Sequence, residues 1–170
     1  MSKFSHCSAC GTKYQEEVWP RVCTGCGDIH WKNPIPVVCV IQPVWDHTPE
    51  RKGVMIAKRA IQPCFGGWAL VGGYMDQTDE SIFAAARREF LEETGMPLRG
   101  NLVVVDSHTN NNGNLIITVL TDWVYHVGVL EAVKLCHENS EIGVSWADDP
   151  VDLCFPIHDR VVKTYLLTLN

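Results

Sequence analysis

No apolar stretch in the sequence approaches the roughly 20 residues that span a bilayer. The polar start, MSKFSHCSAC, lacks the basic and then greasy pattern of a secretory signal. Membrane insertion and export are therefore not expected, and a cytoplasmic setting is. Basic residues are also scarce, 14 Lys and Arg against 20 Asp and Glu, for a net charge of -6. Such a balance gives no general affinity for nucleic-acid phosphates, so nucleic acid is not an expected partner, and an anionic substrate would need a cation as intermediary. Internal repeats and low-complexity segments are absent. His108, His126 and His158 lack metal-ligand spacing and are assigned no chemistry.

What is present is 170 residues with 46% apolar content, enough for one ordinary domain and a small appendage. The chain has eight cysteines, which in a reducing compartment point to metal binding wherever they cluster. Cys7 and Cys10 form CSAC, Cys23 and Cys26 form CTGC, and twelve residues separate the pairs, with Gly11 and Gly27 following. Two such turns supply a tetrahedral sulfur set for zinc, the glycines relieving backbone strain. Residues 1–33 hold too few apolar side chains for a core, so zinc would hold this ribbon folded. A redox role for the C-x-x-C pairs is the alternative. Cys39, Cys64, Cys136 and Cys154 stand in apolar surroundings and read as small core residues.

From residue 34 onward the composition is that of an α+β domain. IPVVCVIQPVW reads as a buried strand, and VMIAKR as its hairpin partner after the loop HTPERKG. LVVVDSH and NLIITVLTDWVYHV read as two more strands around the turn NNNGN. Helices are expected from about Asp79 to Thr94 and from about His158 to Leu167.

The first helix carries RREFLEETG. At helical spacing, Ile82, Phe83, Ala86 and Phe90 share a core-facing arc of about 100°. Glu89, Glu92 and Glu93 occupy the adjoining arc, being related as i, i+3 and i+4. Thr78, Asp79 and Ser81 can cap the helix start, and Gly95 with Pro97 can end it. Three crowded carboxylates could be a solvated face balanced by Arg87 and Arg88. They also form the oxygen set that magnesium or manganese prefers, and the cation would remove the repulsion.

Gly73, Glu80, Arg88, Glu89, Glu92, Glu93 and Gly95 resemble the Nudix box, G-x5-E-x7-R-E-U-x-E-E-x-G-U, with Phe90 and Met96 in bulky apolar places. The spacing departs once, because six residues rather than five separate Gly73 from Glu80. Asp79 restores the five-residue interval but breaks the next one. The chain from Cys7 through the box resembles zinc-ribbon Nudix hydrolases, notably NADH pyrophosphatases and FAD or ADP-ribose pyrophosphatases. HWKNPIPVV, KRAIQPCFGGWALVGGYM and CFPIHDRVVKTYL carry the likeness to the second group. The SQPWPFP-type array of NADH pyrophosphatases is absent, and Asn110 and Asn111 stand where dedicated ADP-ribose enzymes often have a proline.

This resemblance implies a Nudix fold, a mixed β-sheet between helices, over residues 34–170. It implies hydrolysis of the pyrophosphate of a nucleoside diphosphate linked to another group, of FAD, NADH or ADP-ribose type, with Mg2+ or Mn2+ as cofactor. Glu89 and Glu93 become the principal metal ligands, Glu92 an additional one, and Glu89 the residue that assists deprotonation of water. Arg88 would hold the carboxylates, Glu80 the loop–helix arrangement, and Gly72 and Gly73 close passage of the backbone to metal and phosphates. HENSEIGVSW resembles a later-loop segment that supplies another acid, Glu138 or, preferably, Glu141. Arg59 is a candidate phosphate contact. Phe65, Trp68, Trp123 and Trp146 are candidate stacking residues, with Trp68 first because Gly66 and Gly67 flank it. Dimeric relatives suggest a homodimer. A nucleotide-binding sensor and removal of a nucleotide cap from RNA are the alternatives.

Overall fold

The computed structural model describes residues 4–47 and 50–169. Two compact units divide the chain after Pro34, one residue from the expected boundary. Among the described residues, the first holds a two-residue antiparallel pair, β1 (Arg21–Val22) and β2 (Ile29–His30), and an isolated antiparallel bridge between His6 and Lys13. Each cysteine knuckle closes on a backbone bond, Gly11 N to Cys7 O at 2.9 Å and Gly27 N to Cys23 O at 2.8 Å. Both glycines take positive φ, 76° and 78°, as a turn this tight requires.

In the second unit the apolar run at 35–46 breaks at Gln42 into β3 (Ile35–Ile41) and β4 (Pro43–Asp46). Only β4 forms the expected hairpin with β5 (Arg51–Arg59). β3 instead lies between β7 (Val71–Tyr74), antiparallel, and β9 (Asn114–Thr121), parallel, and β8 (Leu102–Thr109) completes a four-stranded mixed sheet. The other sheet orders β10 (Tyr125–His126), β4, β5 and β11 (Asn139–Trp146), with β6 (Trp68–Ala69) also on β5. The expected single sheet is thus two mixed sheets, and the segment expected as a loop after residue 137 is the strand β11. A run buried on both faces carries no alternation to reveal where a strand changes sheets.

Helix α1 spans Ile82–Thr94 and α2 spans Pro156–Leu166. The Ser81 hydroxyl caps α1 by accepting from Ala84 N, and Gly95 ends it at φ 68°. Strand pleating sends alternate residues to the two helices. Val38, Val40, Met55 and Ala57 join Phe90, Ala85 and Ala86 of α1 in one core. Cys39, Ile41, Val54 and Ile56 join Val161, Val162 and Leu166 of α2 in the other. Helices cover both faces, as an α+β Nudix-type arrangement requires. Of the isolated cysteines only Cys39 is fully buried; Cys64, Cys136 and Cys154 are half-buried. No helix among the described residues is long and apolar enough to cross a membrane.

Candidate active site

The packed stripe of α1 fixes its rotation, which turns Glu89 and Glu93 toward β7. Glu93 is 7% exposed, although it is a carboxylate. Its Oε1 accepts from Gly72 N at 3.1 Å, and its Oε2 accepts from Asn139 Nδ2 at 2.6 Å. Burial pushes its carboxyl up to about 7, the Asn139 and Gly72 donors resist, and the charges of Glu89 and Glu138 add to the rise. Burial likewise raises Glu89, opposed by Arg88 and reinforced by Glu92 and Glu138. Such crowding of acids at partly dry positions is typical of functional sites.

Gly72 and Gly73 permit this approach. A Cβ on Gly72, whose φ is 146°, would stand 2.1 Å from Val38 O. One on Gly73 would stand 2.5 Å from Glu89 Oε2. Arg88 lies across the acids: Nη1 donates to Glu89 Oε1 at 2.8 Å and to Glu92 Oε2 at 3.2 Å, and Nη2 donates to Tyr74 O at 3.0 Å. Glu92, whose side chain is 58% exposed, stands outside the dry part of the cluster.

Asp79, not Glu80, ties the loop to the helix. Arg88 Nε and Nη2 donate to the two Asp79 oxygens at 3.1 and 2.8 Å, and Asp76 N donates to Oδ2 at 2.8 Å. The Arg88 bonds hold the Asp79 carboxyl below its ordinary range. Glu80 is exposed and makes no hydrogen bond or ion pair among the described residues. The extra loop residue moves the acid that folds back by one position, so the five-residue count from Gly73 was the signal for Asp79.

Glu141 is displaced too. It faces Lys58, with an Oε2 to Nζ distance of 3.1 Å, and Lys58 lies over the Trp68 ring at 5.5 Å. Trp68 packs against the α2-side core, so Trp68 and Glu141 share the face opposite Glu93. Glu138 is the acid of that segment whose charge reaches Glu89 and Glu93. Register sets Arg59 opposite Asn139, but its Nε donates to Pro63 O at 2.8 Å and its guanidinium covers the Phe155 ring at 5.3 Å. Asn139 escaped the sequence reading, since an amide beside two glutamates has no motif of its own.

The donor chemistry suits the two metals unequally in kind. Glu89 and Glu93 supply hard carboxylate oxygens at a site whose local charge is negative, which fits Mg2+ or Mn2+. Cys7, Cys10, Cys23 and Cys26 have sulfurs all within 4.8 Å of one another, a set that fits Zn2+.

The family profile described as NUDIX domain matches residues 36–148, over half of the chain. The chain belongs to the Nudix family. Solved Nudix structures share its fold: a hydrolase from Nitrosomonas europaea has TM-score 0.65 at 22% identity, covering 96% of this chain and 90% of that one. The NUDIX domain of Shewanella oneidensis NrtR, complexed with ADP ribose, has TM-score 0.62 at 16% identity, covering 82% and 91%. A MutT/nudix family protein from Enterococcus faecalis has TM-score 0.58 at 17% identity over 69% of this chain, which spans only 45% of that protein. No curated protein matches the sequence. The Nudix fold supports pyrophosphate hydrolysis in general.

Proposed function

We propose that the protein is a metal-dependent hydrolase that cleaves the pyrophosphate of a dinucleotide-type substrate, of the FAD, NADH or ADP-ribose kind. The observation that carries this reading is the convergence of Glu89 and Glu93 on the Gly72–Gly73 backbone. Glu89, Glu93 and, at the exposed rim, Glu92 would hold Mg2+ or Mn2+. When bound, the ion supplies positive charge for phosphate oxygens and a more acidic water.

The chain's own residues do the rest. Gly72 and Asn139 hold the Glu93 carboxylate in one orientation. Arg88 engages Glu89 Oε1, leaving Oε2, above Gly73, as the atom that takes the proton of the attacking water. Asp79 fixes Arg88 from behind. Glu138 is the further acid on this side, in place of Glu141. The cysteine unit serves as a structural zinc ribbon, and a cytoplasmic homodimer is the expected working form.

A zinc-loaded preparation is offered FAD, NADH, NAD, ADP-ribose, diadenosine polyphosphates, nucleoside triphosphates and nucleotide-capped RNA with Mg2+ or Mn2+, and released phosphoesters are measured. Cleavage of a dinucleotide-type member supports the reading. Binding of nucleotide without cleavage of any member rejects it in favour of a sensor, and release of a nucleotide cap from RNA alone favours cap removal.

A further inference from the structure

Asn139 and Glu141 are two residues apart on β11, so an undisturbed strand would send both to the same face. The register shows otherwise: Asn139 pairs with Arg59 and Glu141 with Lys58, adjacent positions on β5. Two steps on one strand against one on its partner is a β-bulge, with Ser140 the extra residue. The bulge reverses the alternation. Ile142, one residue beyond Glu141, returns to the α1 side opposite Ala57, as does Asn139. Glu141 is left on the other face with Lys58.

We infer that Asn139 is a positioning residue for the hydrolysis, fixing the Glu93 carboxylate for cation binding, and that the Ser140 bulge exists to aim it there. The inference rests on the reading of Glu93 as a metal ligand. Asn139 is 6% exposed and its amide donates to Glu93 Oε2 at 2.6 Å. Stability alone gives little reason for the arrangement. A buried amide beside a buried carboxylate is no better than an apolar pair of equal volume, and the acid remains strongly desolvated. What the bond does supply is direction. With Gly72 N on Oε1 and Asn139 on Oε2, both ends of the carboxylate are tethered and its plane is set before any cation arrives.

The test uses the full-length, zinc-loaded chain and its N139L, N139A and N139S variants. Manganese affinity is measured by electron paramagnetic resonance without substrate, alongside kcat, KM and the urea midpoint. Leucine keeps the branched outline, with somewhat more bulk, and removes the donor, while serine keeps a shorter donor. N139L is expected to weaken Mn2+ binding roughly 10–100-fold and to lower kcat more than KM, with a urea midpoint lowered at neutral pH because Glu93 Oε2 loses its buried donor. N139S is expected to bind Mn2+ more tightly than N139A. A folded N139L with wild-type Mn2+ affinity overturns the proposal. Should N139L not fold, equal Mn2+ affinities for N139S and N139A overturn it instead. A wild-type protein that binds Mn2+ but cleaves nothing refutes the hydrolase reading and leaves the positioning role to be decided by the resonance titration.

Discussion

Replacing Glu93 with Gln should make the metal-free protein more stable and inactive at once. The Glu93 carboxyl rises from its ordinary 4.5 to about 7 in the fold. The folded state therefore binds more protons than the unfolded chain between these values, so stability falls as pH climbs through that window and stays low above it. At about 1.4 kcal/mol per unit, the full penalty is on the order of 3 kcal/mol. Gln keeps an acceptor for Gly72 N but must meet the Asn139 amide less favourably, which reduces the expected gain to about 1–3 kcal/mol at pH 8. Urea unfolding of both proteins without added Mg2+ or Mn2+, with the zinc unit intact, measures the difference at several pH values. His158 titrates in the opposite sense, because burial lowers it to about 4 and its neutral form stabilises the fold less as pH falls through its ordinary 6.5. That contribution is common to both proteins and cancels. The gap should close near pH 5. Saturating Mn2+ should stabilise only the wild type, by about 2.7 kcal/mol at a hundredfold excess over Kd. A difference independent of pH would rule out desolvation of the Glu93 carboxylate as its source, and full turnover by E93Q would rule out Glu93 as a metal ligand.

Gly73→Ala places a methyl group against Glu89 Oε2, the free end of a side chain, so unfolding should shift by under about 1 kcal/mol while kcat falls roughly a hundredfold. Asp79→Asn removes the charged partner of Arg88 and should lower kcat about tenfold, whereas Glu80→Gln should match the wild type; steady-state kinetics on the pair compares them. Cys10→Ser should reduce bound zinc, read by atomic absorption, and loosen the cysteine unit, with kcat of the remaining folded protein unchanged.

The acid ridge was legible because helical periodicity converts sequence intervals directly into a shared face, and Ser81 and Gly95 mark its ends. The cysteine set was legible for a similar reason, since each knuckle is a local turn whose spacing is its geometry. Glu80 and Glu141 show where that legibility stops. Which acid folds back on Arg88 depends on the path of a loop one residue longer than the family pattern, and helical intervals carry no information about it. Glu141 depended on strand alternation, which one inserted residue at Ser140 reverses. Asn139 acquired its place only through that reversal. The change of sheets at Gln42 was hidden because the segment is apolar on both sides of it.

Gln42 is 1% exposed, its side-chain Nε2 donating to Trp123 O at 2.7 Å and Pro43 O at 2.9 Å, while its backbone carbonyl accepts from Met55 N at 2.9 Å. The chain thus runs from one sheet into the other without a slack connection. Neither sheet can slide past its neighbour unless this seam tears, and two side-chain bonds and one backbone bond at Gln42 keep it shut. Amide protons on β3 and β5 should accordingly exchange with deuterium as one cooperative block, which makes the floor beneath the glutamates a single rigid plate rather than two hinged leaves.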